Sequence, residues 1–589
     1  RGGPVMRAPS RKAAARGVSF SASPVLAVKL PPWRSRMALF VLFALFAAVA
    51  VRAFWLQAMS TEFLQEKGRS RYLHTIDLPA VRGKITDRHG EVLASSLQVK
   101  TVGVIPKAFS ATDEQVRSLA RLLEMPLPEL KKKLASDRSF VFLKRQVEED
   151  VADRIVKLGL PGIDMRQEYK RFYPVGPVAA HILGFTNVED VGQEGMELAQ
   201  QSSLGGTAGS RRVIRDRLGR IIEDIGFVRE PQDGRELVLS IDGKIQYTAF
   251  TELQRAVELH RAKAGAIVVL DVKTGEVLAL ANLPTYNPNI RNGLTGAQLR
   301  NRVMTDTYEP GSTLKPFTVA LALERGLVTP QTMIDTPPRL TIGAASIGDS
   351  HAHPSSMSVT EIIQASSNVG TVRMAMKFEP RDIWDMYTSV GFGQAPRFGF
   401  PGAVAGRLRP YKSWRPIEQA TMSYGHGVSV SLIQVARAYM IFARNGETVP
   451  LSFQKLQQSP EPQRVISEKT ALQMREMMEK VVGPGGTAPL AQVRGYRVAG
   501  KTGTAHKLEN GRYVNKYVAS FVGLAPVSDP RIIIAVMVDE PSAGKHYGGQ
   551  VAAPVFASVA AGALRAMNVP PDASVENVIM PTEPVMESM

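Results

Sequence analysis

The 589-residue sequence contains no cysteine. Without cysteine the chain can form no disulfide, cannot use a thiolate nucleophile and cannot hold zinc or an iron–sulfur cluster through sulfur ligands. This composition suits an oxidising compartment, where an unpaired thiol is a hazard. The 44% hydrophobic and 21% charged content is that of a globular protein, which excludes a mainly disordered chain. At about 100 to 200 residues per domain, the length predicts roughly three to five structural units.

Acidic residues are absent from residues 1–36, which nevertheless contain eight Lys or Arg side chains. Charge of either sign is then absent from residues 37–51, and apolar character resumes after Arg52. Residues 37–56 therefore supply the length of about 20 residues that a helix needs to cross a bilayer. Arg52 can reach the lipid headgroups, and Trp55 suits the membrane interface.

We expect a retained single-pass anchor at residues 37–56, with the basic tail at 1–36 kept in the cytoplasm by the positive-inside rule. The alternatives are a cleaved signal peptide and a buried core helix. A cleavage site made of small residues is hard to find, because Arg52, Phe54 and Trp55 follow at once.

The net charge of +18 comes from 72 basic and 54 acidic residues. Such an excess suggests a nucleic acid, an anionic membrane surface or an acidic polymer as the partner. Without the eight basic residues of the tail, 64 basic and 54 acidic side chains remain, a net +10 over 553 residues. This distribution argues against nucleic acid and favours a surface that faces an anionic wall and membrane.

Two regions that differ in residue pattern follow the predicted anchor. Residues 57–235 mix short apolar runs with charged turns and hold no evident catalytic set, although 111–159 looks helical. We predict a non-catalytic pedestal here. After the polar stretch 230–234, residues 236–568 are predicted to form one large α/β domain. The tail, 569–589, is polar and Pro-rich, and we expect it to be flexible.

The predicted α/β domain has recognisable elements. Three sequential strands near its end, joined at Asn510-Gly511 and at residues 528–530, predict an antiparallel meander with a small-residue helix over one face. The expected elements are a helix at 244–261, hairpin strands at 266–271 and 276–281, mainly helical segments over 312–445, strands at 496–504, 516–525 and 531–539, and a helix at 552–567.

The sharpest local feature is Ser312-x-x-Lys315, which follows Pro310-Gly311 and opens a helix that Gly326 stops. Positions three apart lie on one face of a helix, so the Lys315 amine can reach the serine hydroxyl. A serine is a poor nucleophile unless a base takes its proton, and a neutral lysine can do so. Backbone N–H groups at the helix start can also face a developing oxyanion.

Ser-x-x-Lys alone is a weak signal. The same spacing recurs at Ser452…Lys455 and Ser542…Lys545. Both copies are most simply explained as chance occurrences at the protein surface. Three motifs in a fixed order make a more specific signal than this one spacing. The chain has them as Ser312-x-x-Lys315, Ser366-x-Asn368 and Lys501-Thr502-Gly503-Thr504.

A second cluster, Asp349-x-His351-x-His353, could place three metal ligands on one face of a strand. A solvated polar loop is the favoured interpretation, because no outer hydrogen-bond partners for the histidines are evident. No metal is therefore expected at this cluster.

With its three motifs, the chain resembles the penicillin-recognising serine acyltransferases, and specifically the class B penicillin-binding proteins of the division type. The resemblance runs from the anchor to about residue 568. Further matching stretches are 82–88, 192–197, 308–315, 424–427 and 543–549. The last favours division over elongation paralogues. A bifunctional class A protein would need an acidic glycosyltransferase motif after the anchor, which we do not find.

The resemblance implies an α/β (α+β) fold class in three parts. A single N-terminal transmembrane helix leads to an elongated, mixed pedestal or dimerisation-like domain at 57–235. A transpeptidase domain like the serine β-lactamases, with an antiparallel sheet flanked by helices, then occupies 236–568.

The resemblance also implies the catalytic residues. Ser312 is the acylated nucleophile, and Lys315 is its general base. Ser366 relays a proton to or from the leaving amine, and Asn368 orients Lys315 and the substrate amide. An ordinary lysine pKa of about 10.4 leaves little neutral base at pH 7. We therefore expect burial and the second cation, Lys501, to lower the pKa of Lys315.

Substrate binding is assigned by the same resemblance to the third motif. The charge of Lys501 and the hydroxyls of Thr502 and Thr504, with Gly503 between them, bind a terminal carboxylate. The backbone N–H groups of Ser312 and Thr504 form the oxyanion hole. If this strand is a sheet edge, it also binds the substrate peptide by β-augmentation.

The implied reaction is a two-step acyl transfer. The serine attacks the D-Ala–D-Ala bond of a peptidoglycan stem peptide, and an amine of a neighbouring stem peptide resolves the acyl-enzyme as a cross-link. β-Lactams acylate the same serine, and no metal or organic cofactor is implied. Further partners are a membrane glycan polymerase and other divisome proteins. The expected location is the inner membrane at the septum, with the catalytic domain in the periplasm.

Three alternatives stay open. An elongation-type transpeptidase has the same motifs, and a D,D-carboxypeptidase or β-lactamase resolves the same acyl-enzyme with water. The third is a non-catalytic divisome scaffold or β-lactam sensor, against which the complete motif set argues.

Overall fold

The computed structural model describes residues 31–59, 73–215 and 221–579. The chain divides into two compact units, one formed by residues 1–76 with 211–226 and the other by residues 77–210 with 227–589. Most of the predicted basic tail at 1–36 lies outside the described residues.

The first unit contains a long apolar helix, Pro32–Phe54, which is exposed along its whole length. Proline at the first helical position explains its start, because the missing N–H is not needed there. With the following turn to Gln57 it has a mean hydropathy of 2.4 and is long enough to cross a membrane. The Arg52 guanidinium lies 5.2 Å from the Trp55 ring centre. Most residues of a three-stranded sheet also belong to this unit, and in that sheet Gly209–Arg215 lies between Leu73–Leu78 and Ile221–Arg229.

The N-terminal part of the second unit is built on the long strand Val92–Val104, which pairs with three other strands. These are Ile85–Thr86, Val141–Val147 and Ile163–Phe172, and Leu237–Val238 pairs in parallel with the first of them. The helices that pack beside this sheet are Asp113–Leu122, Leu127–Leu134 and Glu149–Lys157.

The prediction of a helical stretch over 111–159 was wrong for Val141–Val147, which is a strand. Its Val-Phe-Leu start has high β propensity, and pairing with Val92–Val104 decides its conformation. Leu119, Leu130 and Ile155 on the surrounding helices are buried in the core below it.

A buried ion cluster joins three segments of this region. The Glu197 carboxylate accepts hydrogen bonds from Arg82 Nε at 2.6 Å and from Arg171 Nε at 2.7 Å, and all three side chains are almost fully buried. Arg171 also donates to the carbonyl of Gly83 at 2.8 Å. Removing one partner of such a cluster leaves an uncompensated buried charge, which costs about 3–5 kcal/mol.

The large domain is organised around a five-stranded antiparallel sheet. Its strands, in spatial order, are Val277–Leu283, Ala264–Asp271, Ile532–Asp539, Arg512–Ala525 and Ala499–Glu509. The predicted hairpin and the predicted meander are both confirmed. Asn510 and Gly511 have positive φ angles of 52° and 77°, as a tight two-residue hairpin turn requires. Ala499–Glu509, hereafter the edge strand, has one lateral side without a neighbouring strand in this sheet.

Helices flank this sheet, so the predicted α+β class is confirmed. Gly243–Leu259 and Ala553–Ala566 pack together on it, with Phe556 and Phe521 in edge-to-face contact at 4.9 Å. The other main helices are Lys315–Glu324, Val359–Ala365, Asn368–Ala375, Pro380–Ser389, Pro416–Met422, Leu432–Ala438 and Glu468–Val482.

Short elements complete the second unit. The two-stranded pairs are Thr307–Tyr308 with Val430–Ser431, Met333–Asp335 with Ser356–Ser358, Arg339–Ile342 with Ala345–Gly348, and Glu447–Thr448 with Gln463–Arg464. The short helices are Ala180–Leu183, Gly195–Ala199, Gln201–Leu204, Gly296–Leu299, Arg302–Thr305, Met440–Ala443 and Gly548–Val551.

Part of the segment predicted as a flexible tail is hydrogen-bonded to the domain. The Asp572 carboxylate accepts from the backbone N–H of Arg497 at 2.7 Å, and the side-chain Oδ1 of Asn577 accepts from the backbone N–H of Gly495 at 3.0 Å. Residues 580–589 lie outside the described residues.

Candidate active site

Ser312 lies in a tight helical turn, Gly311–Leu314, which continues directly into the helix Lys315–Glu324. Two hydrogen bonds hold this nucleophile turn. The Thr313 hydroxyl donates to the Pro310 carbonyl at 2.8 Å, and the Tyr439 hydroxyl donates to the Thr313 carbonyl at 2.7 Å. Ser312 keeps 5% of its surface exposed, whereas Lys315 is completely buried. The serine is therefore the accessible member of the pair.

Ser366 joins the first and third motifs. Its hydroxyl oxygen lies 3.1 Å from Lys315 Nζ and 2.8 Å from Lys501 Nζ, so both amines donate to one buried oxygen. Lys315 Nζ also donates to the Ser366 backbone carbonyl. Ser366 has a left-handed backbone, with φ 63°. Such a conformation is costly for a serine and persists only where the surrounding structure holds it.

Asp349 holds the start of the helix that carries the second motif. Its carboxylate accepts from the Ser367 hydroxyl at 2.7 Å, from the Val369 N–H at 3.2 Å, and from the Asn368 N–H. Asn368 is buried and donates from its side-chain amide to the Gly348 carbonyl at 3.3 Å. A carboxylate at a helix N-terminus satisfies free N–H groups and is stabilised by the helix dipole.

The third motif lies on the edge strand, where Lys501 and Thr502 are fully buried. Lys501 Nζ is 3.3 Å from the Thr502 hydroxyl, which in turn is 2.9 Å from the Thr487 hydroxyl. The hydroxyl of Thr504 accepts from the Gly548 N–H at 3.0 Å. Neighbouring polar groups therefore orient both threonine hydroxyls.

Gly503 lets the edge strand approach the nucleophile turn. A Cβ atom at this position would lie 2.6 Å from the Ser520 hydroxyl, 2.9 Å from the Pro310 carbonyl and 3.0 Å from the Thr313 methyl group. Real Cβ atoms do not come so close to a backbone oxygen. Only glycine fits here without moving the strand away from Ser312.

A cleft of about 480 Å³ continues along the edge strand beyond Thr504. Glu309 lies in its wall and accepts from the Gly427 N–H at 2.8 Å and the Tyr513 hydroxyl at 3.0 Å. Burial raises the pKa of Glu309. Burial, followed by the charges of Lys315 and His506, lowers the pKa of His426 to about 4, so this imidazole is neutral near pH 7.

The second cluster considered in the sequence does not assemble as a metal site. Among the residues that the structure describes, no group of three or more His, Asp or Glu side chains is arranged to hold a metal ion. The Asp349 carboxylate, which would have been one ligand, accepts the hydrogen bonds at the helix start. Burial lowers the pKa of His353.

The fold brings together the three motifs predicted from the sequence. The predicted residues are Ser312, Lys315, Ser366, Asn368, Lys501, Thr502, Gly503 and Thr504. Three supporting groups are not predicted from the sequence: Asp349 as a helix cap, Thr487 and Glu309. An acidic residue often caps a helix, so Asp349 was a possible cap. It lies 18 residues before Ser367, however, and the sequence does not show which helix it caps.

The arrangement supports one kind of chemistry particularly well. A serine at a helix start, with an amine one turn away, can act as a nucleophile toward an acyl group. The edge strand, which lies against the turn that carries this serine, can pair with an extended peptide. Fold and site together define a serine acyltransferase of the penicillin-recognising class.

Comparison with known proteins agrees with this class. The model of the penicillin binding protein transpeptidase domain matches residues 265–561, and that of the penicillin-binding protein dimerisation domain matches residues 77–239. The probable peptidoglycan D,D-transpeptidase PenA of Neisseria gonorrhoeae is 43% identical over 553 residues, covering 92% of this chain and 95% of that protein. The peptidoglycan D,D-transpeptidase FtsI of Escherichia coli K12 is 40% identical over 549 residues, covering 92% and 93%.

Solved structures lead to the same assignment. The transpeptidase domain of penicillin-binding protein 3 from Burkholderia pseudomallei is 51% identical, with a TM-score of 0.53, and the match covers 57% of this chain and 97% of that one. A peptidoglycan synthetase from Bifidobacterium adolescentis is 26% identical with a TM-score of 0.68, covering 88% and 99%. The chain belongs to the class B penicillin-binding proteins.

Proposed function

We propose that this chain is a membrane-anchored serine D,D-transpeptidase that cross-links peptidoglycan stem peptides during septal wall synthesis. The observation that carries the proposal is the position of the Ser366 hydroxyl, 3.1 Å from Lys315 Nζ and 2.8 Å from Lys501 Nζ. This hydroxyl connects the base beside Ser312 to the strand that binds the substrate. The named function of the FtsI and PenA relatives supports the same reaction.

Acylation begins when Ser312 Oγ attacks the carbonyl carbon of the D-Ala–D-Ala bond while Lys315 Nζ takes the hydroxyl proton. The backbone N–H groups of Ser312 and Thr504 stabilise the oxyanion that forms. As the C–N bond breaks, the proton passes through Ser366 to the leaving amine. Free D-alanine departs, and an ester links the shortened stem peptide to Ser312.

Substrate selection depends on the edge strand. The ammonium group of Lys501 and the hydroxyls of Thr502 and Thr504 bind the terminal carboxylate, a group that an internal peptide bond lacks. The peptide backbone of the stem pairs with the strand near Gly503, which gives affinity without dependence on side chains. Asn368 orients Lys315 and the substrate amide.

In the second step an amine of a neighbouring stem peptide attacks the ester carbonyl, forms the cross-link and releases Ser312. A β-lactam presents a strained amide in place of the dipeptide and acylates the same hydroxyl. If water replaced the amine, the enzyme would be a D,D-carboxypeptidase.

The apolar helix Pro32–Phe54 supports anchoring in the inner membrane. In this proposal the N-terminus is cytoplasmic and the transpeptidase domain is periplasmic, at the division septum. The proposed partners are a membrane glycan polymerase of the division machinery and other divisome proteins. Residues 57–235 and the anchor are their proposed contact region.

Labelling with fluorescent penicillin tests the catalytic assignment. We expect stable labelling of the full chain, loss of the label in Ser312→Ala, and full labelling of Ser452→Ala. The second serine is a matched control, because it has the same spacing to a lysine but its hydroxyl donates to the Gln454 carbonyl at 2.7 Å. Absence of label on the wild type would indicate a scaffold, and rapid loss of label a β-lactamase.

Two further measurements separate the remaining alternatives. Release of D-alanine from stem peptides without formation of cross-links would indicate a carboxypeptidase. Depletion of the protein in cells should produce filaments, because the septum cannot be completed. Round cells would contradict the septal assignment and support an elongation enzyme.

A further inference from the structure

An open polar cavity of about 640 Å³ lies in the large domain between the helix Leu432–Ala438 and the loop that follows the helix Pro380–Ser389. Its residues are distinct from the motif residues and from the cleft beside the edge strand. The side chains that matter for its chemistry are Gln394, Arg397, Phe398, Arg437, Pro450 and Leu451.

Two arginines give this cavity its charge. Within the described part of the chain, neither Arg397 nor Arg437 forms a salt bridge or a side-chain hydrogen bond, and no Asp or Glu lines the cavity. Arg409, by contrast, is paired, with its guanidinium 2.8 Å from Glu418. Arg437 is half-buried, and burial lowers the pKa of its guanidinium. Partial burial strips some water from the Arg437 guanidinium, and no carboxylate of the cavity replaces it, so a bound anion would supply the missing partner.

The frame of the cavity is preorganised by one buried amide. Gln434, which is 2% exposed, donates from Nε2 to the carbonyls of Gly391 at 3.2 Å, Gln394 at 2.9 Å and Ala405 at 2.9 Å. These bonds fix the loop opposite Arg437. Gly391 has φ +98°, and a Cβ atom there would lie 2.5 Å from Arg437 Nη1, so the guanidinium packs directly on the loop backbone. A rigid site loses little entropy when a ligand binds.

The chemistry of the cavity fits a peptide that carries carboxylates. A guanidinium binds a carboxylate through two parallel hydrogen bonds, and two of them can hold two such groups. The walls formed by Phe398, Pro450 and Leu451 are apolar and suit the aliphatic parts of a short peptide. Stem peptides combine these features, since they are short, contain alanine and carry several carboxylates.

We propose that Arg397 and Arg437 form a second, non-catalytic binding site for the stem peptide of a peptidoglycan strand. The proposal of this second site rests on the transpeptidase function proposed above, since that function brings the domain into contact with stem peptides. The site would hold a strand near the enzyme while another stem peptide occupies the catalytic groove, and so raise its local concentration.

The test uses the full chain in detergent with Ser312 already acylated by penicillin, so that the catalytic groove is blocked. The probe is a disaccharide muropeptide with a tripeptide stem, which has free carboxylates but no D-Ala–D-Ala bond. Isothermal titration calorimetry measures its dissociation constant. We expect saturable binding to the acylated wild type, with weakening of about tenfold in Arg437→Gln and about fivefold in Arg397→Gln.

Arg381→Gln is the matched control. Arg381 is an exposed arginine on the helix Pro380–Ser389, and its guanidinium pairs with Asp385 at 3.3 Å. This variant should bind the muropeptide as the wild type does. Arg397 lies in an exposed loop, so its variant tests the site even if Arg437→Gln does not fold.

Three results would overturn the proposal. The first is no binding of the muropeptide by a protein that is fully labelled with penicillin, which would refute the second site while leaving the transpeptidase function intact. The second is equal affinity for a muropeptide whose carboxylates are methyl-esterified. The third is binding of an acidic poly-glutamate peptide without binding of the muropeptide, which would assign the cavity to a protein partner. A wild type that takes up no penicillin would instead refute the function itself.

Discussion

Replacing Asp349 by asparagine should slow acylation of Ser312 although Asp349 belongs to none of the three motifs. Its carboxylate accepts from the Ser367 hydroxyl at 2.7 Å and from the backbone N–H groups of Asn368 and Val369. Asparagine retains one acceptor oxygen but turns an NH₂ group toward at least one of these donors. The change should therefore displace the helix start that positions Asn368 and, next to it, Ser366.

The size of the effect follows from the bonds that are lost. A hydrogen bond to a charged group contributes about 1.5–3 kcal/mol, and Asp349→Asn removes at least one. About 1.4 kcal/mol corresponds to a factor of ten in rate. If the whole free energy of the lost bond is added to the acylation barrier, acylation becomes roughly 10- to 100-fold slower. Part of the loss will appear as lower stability, so the melting temperature is measured in parallel.

The assay follows acylation by fluorescent penicillin at several concentrations, which separates the initial dissociation constant from the acylation rate constant. A positioning role predicts a lower rate constant with a nearly unchanged dissociation constant. The matched control is Asp335→Asn. Asp335 pairs with Arg373 of the same helix at 2.7 Å but is well exposed, so its loss should change the rate less than about threefold. A folded Asp349→Asn protein with a wild-type acylation rate constant would refute the reasoning.

Three further predictions follow from the structure. Gly503→Ala places a Cβ atom 2.9 Å from the Pro310 carbonyl, so acylation should fall at least about 100-fold while the protein stays folded. Gly296→Ala, at a position with open space and no positive φ, should acylate normally. Thr487→Val removes the 2.9 Å hydrogen bond to Thr502 and should weaken initial penicillin binding about fivefold, or roughly 1 kcal/mol; an unchanged dissociation constant would contradict the role of this bond. Burial lowers the pKa of His181 to about 4, against about 6.5 in the unfolded chain. The unfolded chain therefore binds more protons between these values, and the stability that neutral His181 contributes above pH 6.5 is lost as the pH falls toward 4. The loss should reach about 2–3 kcal/mol at pH 4.5. Urea unfolding at pH 7 and 4.5 should show a smaller pH effect in His181→Gln than in the wild type, and identical effects would contradict the assignment.

Much of the fold could be predicted because its signals are local. The helix Pro32–Phe54 follows from a run of apolar residues, and the hairpin of the edge strand follows from Asn510-Gly511 between alternating strands. The failed prediction at Val141–Val147 has the opposite cause. That segment is short, and its strand conformation depends on pairing with Val92–Val104, which lies about 40 residues earlier in the chain.

The copies of the motifs that occur by chance show the limit of local signals. Ser452 and Lys455 have the spacing of the first motif, yet the lysine donates to the Arg88 carbonyl at 2.9 Å and the serine bonds within its own turn. Ser542 donates to the Arg261 carbonyl at 2.8 Å. Spacing alone places two side chains on one side of a turn, but it does not place a third group beside them.

The sequence by itself determined the long apolar helix, the antiparallel strands and the separation of Ser312 from Lys315 by one helical turn, because each depends on residues within a few positions of one another. Only the tertiary structure decided that Ser366 meets two amines from motifs 51 and 135 residues away. It also decided that Asp349 holds the second motif, and that Gly503 gives the edge strand its close approach to the nucleophile turn. These contacts join distant parts of the chain, and only packing around the buried sheet brings the parts together.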